Sequence, residues 1–143
     1  MNKSNLNRFL EPQNKMYDIA LFEVKRGKKT YHWMWFVFPQ IKGLGKSSTS
    51  NYYAIQNKQE AIAYLKHPIL GKRLIEITKA LLEVNGKTAF TIFGTPDYLK
   101  LKSCMTLFKA ISKPNSIFKQ VIDSYYYGFQ DELTIFYLEE ENE

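Results

Sequence analysis

Apolar positions recur along this chain at helical rather than strand spacing. Leu6, Phe9 and Leu10 begin the series and stop before Pro12, and Tyr17, Ala20, Leu21 and Val24 resume it as far as Gly27. Each group fills one face of a 3.6-residue repeat. The run WMWFVF at residues 33–38 fits two elements. It can be a short helix capped by Thr30 and closed by Pro39, because the residue before a proline avoids the α region, or a buried strand of the same length. The loop IKGLGKSSTS follows, then a short helix through Tyr52, Tyr53 and Ile55. In the segment after it, QEAIAYLK, Asn57 and Glu60 set out a near-capping-box start.

Pro68 suits the first turn of PILGKRLIEITKALLEV, with Leu70, Leu74, Ile77 and Leu81 as its buried face and Gly86 as its end. Gly71 in that first turn costs helix stability, which close packing would explain. Residues 88–93 make another turn or two, closed by Gly94. Thr95-Pro96-Asp97 then reads as a helix start: a capping threonine, a first-position proline, and an acid at the positive end of the helix dipole. Leu101, Cys104, Met105, Phe108 and Ile111 share the face that follows. A helix from Ser116 to Tyr127 ends before Gly128, and Asp131 caps LTIFYL, whose pattern fits helix or strand. The expectation is an all-α fold: a compact multihelical single domain of about six to eight helices over residues 1–138, then an acidic C-terminal tail, residues 139–143.

Composition narrows the setting. With 143 residues, 45% hydrophobic and 15% aromatic, the chain can bury a core without staples. Its single cysteine permits no internal disulfide and supplies too few thiolates for zinc, which suits a reducing, cytoplasmic location. No secretory signal is visible, and the longest apolar run is too short to cross a bilayer. The formal charge is +6, but Glu139, Glu140, Glu141 and Glu143 hide a stronger bias: elsewhere twenty basic side chains face ten acidic ones. Lys25, Arg26, Lys28 and Lys29 form the densest cluster. Such a field draws anionic partners, phosphates or nucleic acid, or simply keeps the surface solvated.

Most enzyme classes lack their signatures. GLGKSS is no phosphate-binding P-loop, Gly43 and Gly45 lack the third glycine of a dinucleotide fingerprint, and no G-x-S-x-G elbow exists. His32 and His67 lie far apart without an acid motif, so neither a metal nor a cofactor is expected. Cys104 sits on an apolar helix face and reads as core. His32, by contrast, stands beside Trp33, Trp35 and Phe36. It is either a satisfied core histidine or part of a wall where indoles stack on a planar ligand and Lys29 holds its phosphate. Lys46, Ser47, Ser48 and Thr49 offer donors for an anion in the loop. Asp97, Lys100 and Ser103 form a polar flank along their helix, with Thr106 further round. That flank is either a solvent boundary or the edge of a site at the helix N-terminus.

HWMWFVFPQIKGLGKS, YLKHPILGKRL and KLKSCMTLF together resemble an uncharacterised, mostly bacterial family, domain of unknown function 1810, whose members often carry the unsupported label calpastatin. The likeness spans roughly residues 6–138. It implies a single all-α domain and brings no activity with it. The family's polar motif residues fall here on Gln13, Lys29, His32, Gln40, Ser47, His67, Arg73, Asp97, Lys100, Ser103 and Thr106.

The favoured expectation is a small pocket protein or enzyme for a nucleotide-like or other phosphorylated compound. His32 and Asp97 are the acid–base candidates, and Lys29, Trp33, Trp35, Gln40, Lys46, Ser47, Arg73, Lys100, Ser103 and Thr106 the binding candidates. An analogy of fold class alone links this to small α-helical N-glycosidases acting on ADP-ribose-type compounds. A non-enzymatic nucleic-acid-binding module using the basic face is the second expectation, though no nucleic-acid motif supports it. A protein-interaction or regulatory domain, with His32, Gln40 and Arg73 serving only to pack, is the third.

Overall fold

Pro12 does not interrupt the first helix. The computed structural model describes residues 5–141, in which α1 (Asn7–Arg26) runs through the proline for twenty residues. The ring forgoes one backbone bond, to the Arg8 carbonyl, and the helix is fastened from its sides there. Arg8 grips Glu60 through its two terminal guanidinium nitrogens, at 2.6 and 3.1 Å. It also donates to the Tyr52 and Ala54 carbonyls, while Phe9 is fully buried. Gly27 then ends α1 with φ 77, as its position predicts.

The remaining elements are α2 (Met34–Val37), α3 (Ser48–Tyr52), α4 (Lys58–Lys66), α5 (Leu70–Leu82), α6 (Ala89–Phe93), α7 (Asp97–Ala110), α8 (Ile117–Tyr126) and α9 (Glu132–Glu140). The described residues contain no strand, only an isolated parallel bridge between Ile41 and Ile55. The all-α expectation is met. Both ambiguous runs, WMWFVF and LTIFYL, are helical, and residues 139 and 140 continue α9. Side-chain caps fall where the sequence puts them at Asn57 and Asp131, and Ser116, expected only as a helix start, also caps its helix. Thr30 and Thr95 do not cap. Thr30 instead gives its amide to Glu23, and α7 starts after a cis Thr95–Pro96 bond with Pro96 in the cap position.

α7 is the central element, packed against α4, α6, α8 and α9, while α5 bridges α1, α4 and α8. This placement explains the main surprise on α7. Leu101, Cys104, Met105, Leu107 and Phe108 are fully buried, but so are Ser103 and Thr106 to within 5%. A helix enclosed on most sides has no solvent boundary for a polar flank to mark. The Ser103 hydroxyl donates to the Leu99 carbonyl and Thr106 to the Lys102 carbonyl, and Thr106 also accepts the Asp131 amide. Both hydroxyls thus satisfy local backbone, as buried polar groups must, and neither faces a ligand.

Candidate functional site

The WMWFVF segment is organised by a carboxylate that the sequence gives no reason to single out. Glu23, 1% exposed, accepts from the Thr30 amide at 2.8 Å, the Tyr31 amide at 3.1 Å and the Trp33 indole at 2.8 Å. Trp33 is therefore sealed in the core with Phe38 and Phe93 against its ring. It cannot serve as a stacking platform. His32 is neither the buried residue nor the helical neighbour of Lys29 that its surroundings suggest. The chain is bent there, outside any helix, and the imidazole is exposed. Replacing His32 with alanine should change stability by no more than about 0.5 kcal/mol, the usual range for a surface site. A loss of about 2 kcal/mol in urea unfolding, well beyond that range, would contradict this placement.

Several sequence candidates do meet. Lys29 extends from the α1–α2 loop to within 2.8 Å of Asp97 at the start of α7, and Lys100 stands 3.8 Å from the same carboxylate. The Lys29 ammonium lies 5.1 Å from the Trp33 ring centre, and the Lys100 ammonium 4.9 Å from that of Trp35. The cluster is real, but its one carboxylate is spent on Lys29 at close range, with Lys100 standing further off. The Lys29 side chain is only 8% exposed and paired, so it is not available to a phosphate. In the first turn of α7 the Tyr98 amide is taken by the Gly94 carbonyl, and those of Leu99 and Lys100 by the Pro96 carbonyl. On its other side Trp35 borders Gln40, Gly45, Ser50 and Tyr53 around a depression of about 10 Å³, room for about one water molecule. Lys46 is exposed in the adjoining loop, and Ser47 uses its hydroxyl to cap α3. Arg73 lies elsewhere, joining α5 to Gln13 and Asn14 of α1 and resting over the Tyr17 ring.

The large concavity is on another face. A cleft of about 640 Å³ opens between α6, α7 and the end of α8, within the range of small-molecule sites. Phe90 and Tyr98 pack edge to face on one side, and Tyr125, Tyr126, Tyr127 and Phe129 line the cleft from α8 and the turn beyond it. Two of the hydroxyls are committed: Tyr125 donates to the Leu81 carbonyl at 2.8 Å, Tyr126 to the Tyr98 carbonyl at 2.5 Å. Burial pushes both phenols above their ordinary pKa, so they act as neutral walls. Lys102, half-buried one turn after Tyr98, contributes a cation that enters none of the ion pairs among the described residues. No carboxylate or imidazole is in the lining.

None of the cleft's residues is among the sequence candidates. The available signal was YYYGF at residues 125–129, more aromatic surface at a helix end than one amphipathic face can bury. Tyr127 is 89% and Phe129 70% exposed, and Tyr127 holds a left-handed backbone at φ 55, uncommon for a bulky residue.

His67 serves its own helix. Its Nδ1 accepts the Ile69 and Leu70 amides at 3.1 and 3.2 Å, a local cap at the start of α5. Cys104 is buried with its thiol pKa pushed up by burial, which leaves it inert. Among the described residues no group of three or more metal-ligating side chains gathers, and no helix is long and apolar enough to cross a membrane.

No curated protein matches the chain. It is similar to a conserved hypothetical protein of Mycobacterium tuberculosis, Rv1873, known from a crystal structure. The two share 43% identity over 94% of this chain and 96% of that one, with a TM-score of 0.92. Residues 3–138 match the family described as Protein of unknown function (DUF1810), and the chain belongs to that family.

Proposed function

We propose that this protein binds a small anionic compound with a planar ring, nucleotide-like or otherwise phosphorylated, and that the aromatic cleft is where it binds. The observation that carries this reading is the combination of room for one such molecule, aromatic walls and an unpaired Lys102. Ring faces of Phe90, Tyr98 and Tyr127 suit stacking on a planar group, and a half-buried ammonium suits a phosphate or carboxylate. The lining supports binding rather than catalysis. N-glycosidase-type chemistry needs a carboxylate near the scissile bond, and Asp97 is instead engaged by two lysines at the far side of the α7 start.

Tyr127 makes the test selective. A left-handed backbone costs an L-residue about 1–2 kcal/mol, and glycine escapes that cost while losing up to about 1 kcal/mol through unfolded-state entropy. Tyr127→Gly should therefore leave thermal stability unchanged or raised. Lys102→Ala should weaken the ligand about tenfold, the loss of one charge-assisted hydrogen bond. The measurement is a calorimetric titration with nucleotides, ADP-ribose, NAD and phosphorylated metabolites, following a thermal-shift screen. The reading requires one compound to bind the wild type and to bind both variants more weakly without loss of melting temperature. If no compound binds, or if Tyr127→Gly and Lys102→Ala bind as wild type, the cleft is not the site.

A further inference from the structure

The cleft does not end at its own rim. Lys87, one of its lining residues, lies across the C-terminal end of α1, its ammonium donating to the Gly27 carbonyl at 3.1 Å and to that of Arg26 at 3.5 Å. The approach is close enough that a Cβ at Gly27 would stand 2.8 Å from the Lys87 Cδ. The φ of 77 is what calls for glycine there, while a Cβ would push the flexible Lys87 stem aside. The consequence is that the densest basic cluster of the sequence adjoins the cleft. Arg26 and Lys28 are exposed. The Arg26 guanidinium donates to the Lys28 carbonyl and the Thr30 hydroxyl and stands 3.9 Å from Glu23, yet keeps an open outer face. Beside it Phe22, 62% exposed, carries that guanidinium over its ring at 5.3 Å. Lys29, the cluster's other member on this loop, is turned away to Asp97.

Resting on the reading of the cleft as a nucleotide-like site, we propose that its ligand is a nucleotide within a single-stranded nucleic acid. One base enters the aromatic cleft with a phosphate near Lys102, and the adjacent phosphates run over Lys87, Arg26 and Lys28. A lone nucleotide has no use for cations beyond the cleft, whereas a strand presents a phosphate at every residue. A row of cations leading from an aromatic slot matches that periodic charge. A duplex is a poor fit, since its base faces are stacked on each other and a slot lined by ring faces reads only an unstacked base.

The experiment follows the fluorescence anisotropy of a labelled oligothymidylate decamer, with thymidine monophosphate and a labelled duplex of equal length as comparisons. The proteins are the wild type, Lys102→Ala, and the double variant Arg26→Gln/Lys28→Gln, which removes both charges and whose melting temperature is followed alongside, because Arg26 also bonds Thr30 and stands near Glu23. The wild type should bind the decamer at least tenfold more tightly than the mononucleotide and more tightly than the duplex. In the double variant the slope of log affinity against log salt should fall by roughly 1.4, about 0.7 for each phosphate contact to a single strand, with mononucleotide affinity unchanged. Lys102→Ala should weaken both single-stranded ligands. If mononucleotide and decamer bind alike, or the double variant keeps the full slope, or the duplex binds as tightly, the strand proposal is wrong while the cleft reading stands. Binding of other small anions in the cleft, with neither thymidine ligand bound, would overturn the strand proposal in the same way. If nothing binds, both fall.

Discussion

Replacing Glu23 with alanine should destabilise the protein by roughly 3–5 kcal/mol, the range for a buried charged partner whose loss strands its donors. Three N–H groups lose their acceptor at once, from Thr30, Tyr31 and the Trp33 indole. The indole is fully buried and has no water to turn to. Acid should show the same dependence in the wild type. Burial, the largest influence on Glu23, raises its pKa, but the Thr30, Trp33 and Tyr31 donors, aided by Arg26, hold it below the ordinary carboxyl range. An unfolded glutamate titrates near about 4.3. Between that value and the lower folded one, the unfolded chain carries the proton and the folded chain does not, so stability rises with pH. Glu23's contribution is complete above about pH 4.3 and disappears as pH falls through the folded value. Urea unfolding between about pH 7 and pH 3 checks both statements. Glu23→Gln, which keeps the shape and cannot ionise, should remove part of the acid sensitivity. An alanine variant within about 1 kcal/mol of wild type, the worth of a single ordinary hydrogen bond, would show that the loop finds other partners.

Glu23 also marks where the sequence stops being informative. Periodicity located the helices because each one's buried face is a local property: Leu70, Leu74, Ile77 and Leu81 are all at most 1% exposed. Caps at Asn57 and Asp131 were legible for the same reason, since a cap and the amide it receives lie within one turn. The break before Pro12 was expected wrongly because what holds α1 there, the Arg8–Glu60 pair, joins residues 52 positions apart. The site failed in a parallel way. His32, two tryptophans and several lysines adjacent in the chain looked like one wall, yet one indole faces the core, the imidazole faces solvent, and Lys29 spans to Asp97. Which way a side chain points out of an irregular loop is decided by partners from other elements, here Glu23. The cleft is built from residues 86–102 and 124–129, and no single stretch of sequence contains enough of it to be recognised.

The α4–α5 corner opposes two rules of helix energetics to each other. Gly71 is the second residue of α5, and helix propensity alone says that alanine there should stabilise by about 1 kcal/mol. The packing says otherwise. A Cβ on Gly71 would lie 1.9 Å from the Leu65 carbonyl oxygen and 2.7 Å from its carbon, a collision with backbone that no rotamer change relieves. The turn between the helices has little freedom to yield, because the Gly71 amide is bound to the His67 carbonyl at 3.0 Å and the His67 ring caps two further amides. Overpacking of this kind costs about 1–3 kcal/mol, more where main chain must move, so Gly71→Ala should be destabilised by about 3 kcal/mol in spite of propensity. For a domain of this size that is a fall of about 10 °C in melting temperature. The damage should stay at this end of α5, since the Leu81 carbonyl that holds Tyr125 in the cleft is nearly three turns away. Scanning calorimetry of Gly71→Ala beside the wild type gives the sign directly. A raised melting temperature would mean that the corner opens freely and propensity wins, whereas the expected fall would identify the close approach of α4 and α5 as the reason this helix carries a glycine in its first turn.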